Sequence, residues 1–133
     1  MKKINLILTI ITLSFTIGCK AQSQLEQLNN YKTLILGTWV SEDDSSHKIE
    51  FTSKNTCKIY IDNELEETYE YLLDTACGKN SNNGYDVFLK TLTDINSSTC
   101  DIINNIHVDS NGVTTLSITT ERGQLEIYLK NKN

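Results

Sequence analysis

Apolar and polar residues alternate along most of the chain beyond residue 36, and this period of two is typical of half-buried β-strands. In His47–Ser53, for example, Ile49 and Phe51 share one face of the strand, opposite Lys48 and Glu50. The chain contains no proline, which would weaken such strands. The alternation predicts eight strands: Gly37–Glu42, His47–Ser53, Thr56–Asp62, Thr68–Asp74, Tyr85–Thr93, Asp101–Val108, Val113–Thr120 and Leu125–Lys130.

The segments between these predicted strands carry turn-forming residues. Ser110-Asn111-Gly112 predicts a hairpin, because Asn-Gly tolerates the positive φ angles of a type I′ turn. Asp62-Asn63-Glu64 and Glu121-Arg122-Gly123 are weaker signals of the same kind, and Lys79–Gly84 predicts a polar loop. Antiparallel strands in sequence order form a meander, and closing it removes exposed edges. We therefore expect an all-β, eight-stranded up-and-down antiparallel barrel, with an open sandwich as the alternative.

The N-terminus has the order of features found in bacterial lipoprotein signal peptides. A basic Met1-Lys2-Lys3 precedes the uncharged segment Ile4–Ile17, which is shorter than the roughly 20 apolar residues of a membrane-spanning helix. Gly18-Cys19 follows and resembles a lipobox, whose cysteine receives the lipid. We therefore expect a signal peptide over residues 1–18 and lipidation of Cys19. Lys20, directly after that cysteine, favours the outer membrane within the cell envelope.

A second cleavage site is compatible with the same segment. Cys19-Lys20-Ala21 fits ordinary signal peptidase, which would release a secreted protein without lipid. Residues 19–33 are polar and rich in Gln and Asn, and they predict a tether with at most a helical turn across Leu25, Leu28 and Tyr31. Residues 34–133 then form one barrel domain, which suits their length.

Charge narrows the classes of partner. Cleavage before Cys19 removes two lysines and no acidic residue, so the net charge changes from −5 to −7. Nucleic-acid binding depends on lysines and arginines that neutralise phosphates, and an acidic domain without a basic patch argues against it. The expected partners are the membrane, through the N-terminal lipid, and either a small apolar molecule or a protein.

Three cysteines remain after the lipidation site, and an oxidising compartment permits one disulfide among them. In an up-and-down meander, Cys57 begins a strand and Cys77 follows the end of its hairpin partner, so both lie at one end of the barrel. Cys100 begins a strand at the opposite end. This order favours Cys57–Cys77 over Cys77–Cys100, although the stagger of strands in a closed barrel could reverse it.

Gly37-Thr38-Trp39, at the start of the first predicted strand, resembles the lipocalin signature. The resemblance implies that Trp39 plugs the closed end of the barrel and that an arginine near the last strand stacks over it. Arg122 is the only arginine in the chain. It lies before the last strand, whereas the lipocalin arginine lies at its end, so the last hairpin would have to be offset. The alternative is that Trp39 is a plain core aromatic residue.

Further matches narrow the resemblance to small lipocalin-like lipoproteins of Bacteroidota-type bacteria. They are Asn63-Glu64-Leu65 and the ending Arg122-Gly123, Leu125, Tyr128 and Lys130. The resemblance covers about residues 34–131. It implies the fold and an envelope location, but no defined ligand.

The sequence offers no persuasive catalytic or metal site. Glu42-Asp43-Asp44 with His47 reads as a solvated turn, and Asp109–Gly112 lacks most of a calcium loop. His107 lies on a predicted strand and reads as a hydrogen-bonded barrel histidine rather than a catalyst. We therefore expect no catalytic residue, no metal and no cofactor. The favoured function is binding of a small apolar or amphipathic ligand at the mouth opposite Trp39, with Tyr60 or Tyr85 as a polar contact. The alternatives are a protein-binding inhibitor or immunity factor, and a filled barrel with a scaffolding role.

Overall fold

The computed structural model describes residues 18–78, 80–81, 86–94 and 97–132. Residues 1–17 of the expected signal peptide and Tyr85 lie outside this part of the chain. The elements, in chain order, are α1 (Gly18–Leu34), β1 (Gly37–Ser41), β2 (His47–Phe51), β3 (Thr56–Ile61), β4 (Glu64–Asp74), β5 (Ala76–Cys77), β6 (Asn80–Ser81), β7 (Val87–Asp94), β8 (Ser97–Val108), β9 (Thr114–Thr119) and β10 (Leu125–Lys130).

Eight of the strands close into a barrel in the order β1-β10-β9-β8-β7-β4-β3-β2. Every neighbouring pair in it is antiparallel. The first and last strands close the barrel, with Trp39 opposite Lys130 and Ser41 opposite Tyr128. The predicted eight-stranded up-and-down antiparallel barrel is thus confirmed. The short strands β5 and β6 form a separate two-stranded ribbon.

The antiparallel order gives the barrel two distinct ends. We call the end where α1 leads into β1 the lower end, and it includes the β2–β3 turn, the β8–β9 turn and the end of β10. The opposite, upper end carries the β1–β2 loop over residues 42–46, the two-residue β3–β4 turn and the β9–β10 turn over residues 120–124.

Residues 19–33 form most of helix α1, so their interpretation as a tether is wrong. Leu28, Tyr31 and Ile35 are spaced to share one side of the helix and its C-terminal extension, and all three belong to the barrel core. The Tyr31 hydroxyl donates to Asn105 Oδ1 on β8 at 3.3 Å. Helix α1 therefore closes the lower end. The local sequence does not predict this role, because three apolar residues on an otherwise polar segment stabilise a helix only when they pack against the folded barrel.

A two-residue hairpin at Asp62-Asn63 joins β3 to β4 with φ angles of 52° and 69°. Two consecutive positive φ angles are the mark of a type I′ turn. At Ser110-Asn111-Gly112 the hairpin is present, but only Gly112 has a positive φ, of 75°. Asp109 Oδ1 instead accepts hydrogen bonds from the backbone N–H groups of Asn111 and Val113, both at 2.8 Å. The predicted type I′ geometry at this turn is therefore wrong.

The disulfide joins Cys77 to Cys100, with a Cα–Cα distance of 5.9 Å, and the preferred pairing Cys57–Cys77 is wrong. Strand stagger explains the difference. Leu72 of β4 lies opposite Lys90 of β7, and Lys90 lies opposite Cys100 of β8. The chain bends after β4, and β5 packs against β7. Cys77 thereby reaches β8 across the outside of the barrel.

This fold-back also accounts for a buried aromatic residue on the outer face. Phe88 alternates with Val87 and Leu89, which point into the core, yet Phe88 is only 2% exposed. Because β5 packs on β7, we attribute the burial of Phe88 to the segment that the disulfide holds in place.

Candidate functional site

The lower part of the barrel lumen is filled with large side chains. Every barrel strand contributes at least one buried residue to this core, which therefore spans the whole circumference. Its strand members are Trp39, Ile49, Phe51, Cys57, Tyr71, Leu73, Val87, Leu89, Ile103, Ile106, Leu116, Ile118 and Tyr128. Because α1 covers the same part from below, no open lumen leads through the described barrel from end to end.

Trp39 is fully buried near the closed end, and its cationic neighbour is Lys130. The Lys130 ammonium lies 5.1 Å from the centre of the indole ring and donates to the Leu34 carbonyl at 2.9 Å. The indole Nε1 donates to the Ile35 carbonyl at 2.7 Å. Burial lowers the pKa of Lys130. Through these contacts, Trp39 on the first barrel strand and Lys130 on the last connect both strands to the C-terminal end of α1.

Arg122 does not take part in this plug. It is exposed in the β9–β10 turn at the upper end, whereas Trp39 pairs with the lower end of β10. Strand β10 itself, at about 3.3 Å per residue, separates the two ends by roughly 15 Å or more. The predicted contact between Arg122 and Trp39 is therefore wrong, and Lys130 occupies the position at the end of the last strand.

Gly37 is required by the same arrangement. Its φ angle is 115°, and a Cβ atom there would lie 3.2 Å from Cε of Lys130. A larger residue would be strained in its backbone and would press on the lysine. The spacing of glycine and tryptophan in Gly37-Thr38-Trp39 follows from this contact.

Above the filled part of the lumen lies a tier of half-buried side chains. Each member alternates with a buried core residue on its own strand, so it also points into the barrel. The members, from six different strands, are His47, Ile59, Tyr69, Thr91, Asp101 and Glu126. We call this tier, together with Tyr128 beneath it, the upper cup. It combines apolar, aromatic and carboxylate groups at the end of the barrel opposite α1.

Tyr128 forms the floor of the upper cup. Its hydroxyl donates to Glu126 Oε2 at 2.8 Å, and its ring meets the edge of His47 at a centroid distance of 6.0 Å. Burial, followed by the hydrogen bond to Glu126 and the charge of that carboxylate, raises the pKa of Tyr128 far above its usual range. The phenol therefore stays protonated and acts as a hydrogen-bond donor.

Asp101 is the second carboxylate of the upper cup. Burial raises its pKa, and the negative charges of Glu126 and Glu121 add to this effect. The backbone N–H of Glu121 donates to Asp101 Oδ1 at 2.9 Å, which opposes the rise. The negative charge of Asp101 also adds, as the smallest contribution, to the rise in the pKa of Tyr128. Among the members of the cup, only His47 is basic.

Tyr60 is not part of the barrel mouth, so its predicted place as a polar contact there is wrong. It lies on the outer face of β3, where its hydroxyl donates to Glu50 Oε2 at 2.8 Å. Lys58 is 3.4 Å from the same carboxylate oxygen. A shallow polar hollow of about 260 Å³ lies beside these groups. The reason is register: Tyr60 alternates with Ile59, and Ile59 is the one that faces inward.

The remaining candidate residues lie outside the upper cup. Cys57 is a buried free thiol, and burial raises its pKa to about 12, so it stays protonated at neutral pH. Asp44 is exposed and accepts hydrogen bonds from the backbone and hydroxyl of Ser46, which lower its pKa. His107 is exposed on β8. Cys19 lies in the first turn of α1.

Two features are absent from the described residues. No group of three or more histidine, cysteine or acidic side chains there is arranged to hold a metal ion. No helix in that part of the chain has the length and apolar character needed to cross a bilayer.

Sequence reasoning missed the residues that make up most of the cup. Glu126 and Lys130 alternate with Tyr128 and share the inner face of β10, whereas the apolar pattern of Leu125, Ile127 and Leu129 predicts the opposite face inward. On β8 the pattern groups Ile102 with Ile106 and Val108, but the register shift between Ile103 and Asn105 turns Ile103, and with it Asp101, inward. Comparison of the chain with protein-family models, with curated proteins and with solved structures gives no match.

Proposed function

We propose that this chain is an exported, lipid-anchored barrel protein that binds a small amphipathic molecule in the upper cup. The observation that supports the proposal most strongly is the uneven filling of the barrel. The lower part is packed and covered by α1, whereas six strands place half-buried side chains at the upper end. Eight-stranded barrels commonly hold one small ligand at such a mouth.

The chemistry of the upper cup favours a ligand with a positively charged or hydrogen-bond-donating group. Asp101 and Glu126 bring two carboxylates into a partly desolvated space, and the one phenol that approaches them already donates to Glu126. An ammonium group would offset the charge of both carboxylates. Ile59 and the ring of Tyr69 supply apolar surface elsewhere in the same cup. The expected ligand class is therefore a small amphipathic amine.

The proposed anchoring rests on the basic and apolar segment that ends at Gly18-Cys19. Because α1 begins there and packs across the lower end, a lipid on Cys19 would hold that end towards the membrane and leave the upper cup facing away from it. We propose a binding role without catalysis, since the cup offers hydrogen-bonding and ionic groups but pairs no nucleophile with a base.

The proposal is tested by matched ligands in a thermal-shift and calorimetric titration. We use tryptamine and phenethylamine, the corresponding carboxylates of the same ring systems, and a panel of fatty acids, sterols, haem and bile acids. Saturation at about 100 times Kd raises the free energy of unfolding by about 2.7 kcal/mol. We expect the amines to produce this shift and their matched carboxylates to produce none.

Variants locate the site. Glu126→Gln keeps the size of the side chain and should abolish the shift caused by the amine, whereas Glu66→Gln, an exposed acid outside the cup, should retain it. If the whole panel leaves the melting temperature of the unmodified chain unchanged, small-molecule binding in the upper cup is refuted. If an amine binds equally well to both variants, the location is refuted.

A further inference from the structure

A cavity of about 180 Å³ lies at the lower end of the barrel, between the C-terminal end of α1, the β2–β3 turn and β4. Tyr71 and Leu73 form part of its inner wall, and both are buried. Lys32, Ser53 and Asn55 also line it, and all three are exposed, so they mark its mouth. The cavity therefore has an apolar interior and a polar entrance, at the opposite end of the barrel from the upper cup.

The interior wall is held in place by contacts with the core. The ring of Tyr71 meets Phe51 edge to face, with ring centroids 5.0 Å apart, and its hydroxyl donates to the Thr52 carbonyl at 3.2 Å. Leu36, just beyond α1, also lines the cavity and packs against the core. An entering molecule meets apolar surface that is already formed, so little ordering of side chains opposes its binding.

The mouth offers hydrogen-bond donors to an acidic group. Within the described residues, the Lys32 ammonium forms no hydrogen bond or ion pair, and no acidic side chain lines the cavity. Asn55 is fixed by its backbone, because its N–H donates to the Thr52 carbonyl at 3.2 Å and its carbonyl accepts the N–H of Tyr71 at 2.9 Å. An ammonium and a side-chain amide are both donors to a carboxylate, and the ammonium forms the stronger bond.

We propose that this cavity, which we call the lower pocket, binds a short-chain fatty acid. The alkyl chain packs against Tyr71 and Leu73, and the carboxylate lies beside Lys32 and Asn55. A dry apolar cavity of about 150 Å³ accommodates benzene, so the lower pocket has room for a body of about six carbon atoms. Burial of the chain supplies affinity, and the ammonium selects the charge of the head group. This site is separate from the upper cup and does not depend on it.

The probe is hexanoate, titrated into the full chain and followed by amide NMR, with butanoate, decanoate and hexanamide as matched comparisons. We expect shifts centred on residues 32–36, 53–55 and 71–73. Each buried methylene increases affinity about fourfold, so hexanoate should bind about tenfold more tightly than butanoate. Decanoate exceeds the volume of the lower pocket and should bind no more tightly than hexanoate, which distinguishes a free short-chain acid from the acyl chain of a lipid. Hexanamide keeps the size, lacks the charge and should bind about threefold to fivefold more weakly.

Variants of the protein assign the head-group contact. Lys32→Met keeps an apolar stem and removes the ammonium, so it should weaken hexanoate about threefold to fivefold and leave hexanamide unchanged. Lys54→Met is the matched control, because Lys54 is an exposed lysine of the β2–β3 turn that does not line the cavity, and it should change affinity less than about twofold. Glu126→Gln, in the upper cup, should leave hexanoate binding intact, so the two proposed sites succeed or fail separately.

Several outcomes would overturn the proposal. They are failure of hexanoate to bind, equal affinity for hexanoate and hexanamide, tighter binding of decanoate, and a footprint in the upper cup or elsewhere on the barrel. An equal effect of Lys32→Met and Lys54→Met would also overturn it, because the carboxylate would then have no preferred lysine.

Discussion

Removal of the Lys130 ammonium is the perturbation that best tests the closed end of the barrel. Lys130→Ala loses the cation over the Trp39 ring, worth about 0.5–2 kcal/mol. It also loses a charge-assisted hydrogen bond to the Leu34 carbonyl, in a class worth about 1.5–3 kcal/mol. Desolvation of the ammonium, which lowers its pKa, offsets part of both contributions. We therefore expect a loss of about 2 kcal/mol in the free energy of unfolding, or about 8 °C in Tm for a domain of this size.

The assay is urea unfolding followed by the fluorescence of Trp39, the only tryptophan in the chain. Lys130→Met keeps an apolar stem of similar length and separates packing from charge. Arg122→Ala and Lys132→Ala, both at exposed positions, should change stability by no more than about 0.5 kcal/mol.

The reasoning is refuted if Lys130→Met is as stable as the unmodified chain, because the ammonium would then contribute nothing. It is also refuted if Arg122→Ala destabilises the protein more than Lys130→Ala does. Either result would mean that a different cation, or packing alone, stabilises the closed end of the barrel.

Three further predictions address the disulfide, the upper cup and the N-terminus. Replacing Cys77 and Cys100 by serine should cost about 3 kcal/mol, as expected for a sequence separation of 23, and non-reduced peptide mapping of the oxidised protein should recover this pair with Cys57 as a free thiol. The raised pKa of Asp101 means that the unfolded chain releases this proton first as pH rises, so Asp101 destabilises the fold above the usual aspartate pKa. Asp101→Asn should therefore be more stable than the unmodified chain at pH 7, with an advantage that shrinks on acidification, and chemical unfolding at several pH values measures it. Intact mass should show a diacylglyceryl-sized addition on Cys19 that the serine variant lacks, and a mature N-terminus without lipid would contradict this.

The barrel could be predicted from sequence because period-two alternation marks strands wherever pairing is regular. The alternation no longer predicts strand bounds correctly at register shifts. The shift at Ile59/Tyr60 breaks the alternation opposite the start of β4, so that strand begins at Glu64 rather than at the predicted Thr68. Strand β8 also begins earlier than predicted, at Ser97. Predicting where a strand begins and ends therefore requires knowledge of its partner strand as well as of the local pattern.

The closed end shows a second limit of sequence reasoning. The cation–π contact was expected at Arg122 because it is the only arginine in the chain. Position on the last strand, however, decides which cation reaches Trp39. Simple up-and-down counting puts the end of β10 beside the start of β1, and the alternation with Tyr128 turns Lys130 inward. The apolar residues Leu125, Ile127 and Leu129 predict the opposite face of β10 inward, so the structure was needed to identify Lys130.

The disulfide and α1 depended on information that no local pattern contains. Cys77 reaches Cys100 only because the chain bends after β4 and crosses β7 on the outside. Helix α1 is polar along most of its length, and its stability comes from Leu28 and Tyr31 meeting the lower end of a barrel formed by residues far along the chain. Both features follow from tertiary packing rather than from propensity.

The proposed binding role is tested most directly by native mass spectrometry of the protein purified from the cells that produce it. We predict a lipidated chain that retains one small molecule of the amphipathic amine class, and we predict that the Glu126→Gln variant, purified in the same way, lacks that mass. A lipidated chain that carries no small molecule, with Glu126 intact, would contradict the account.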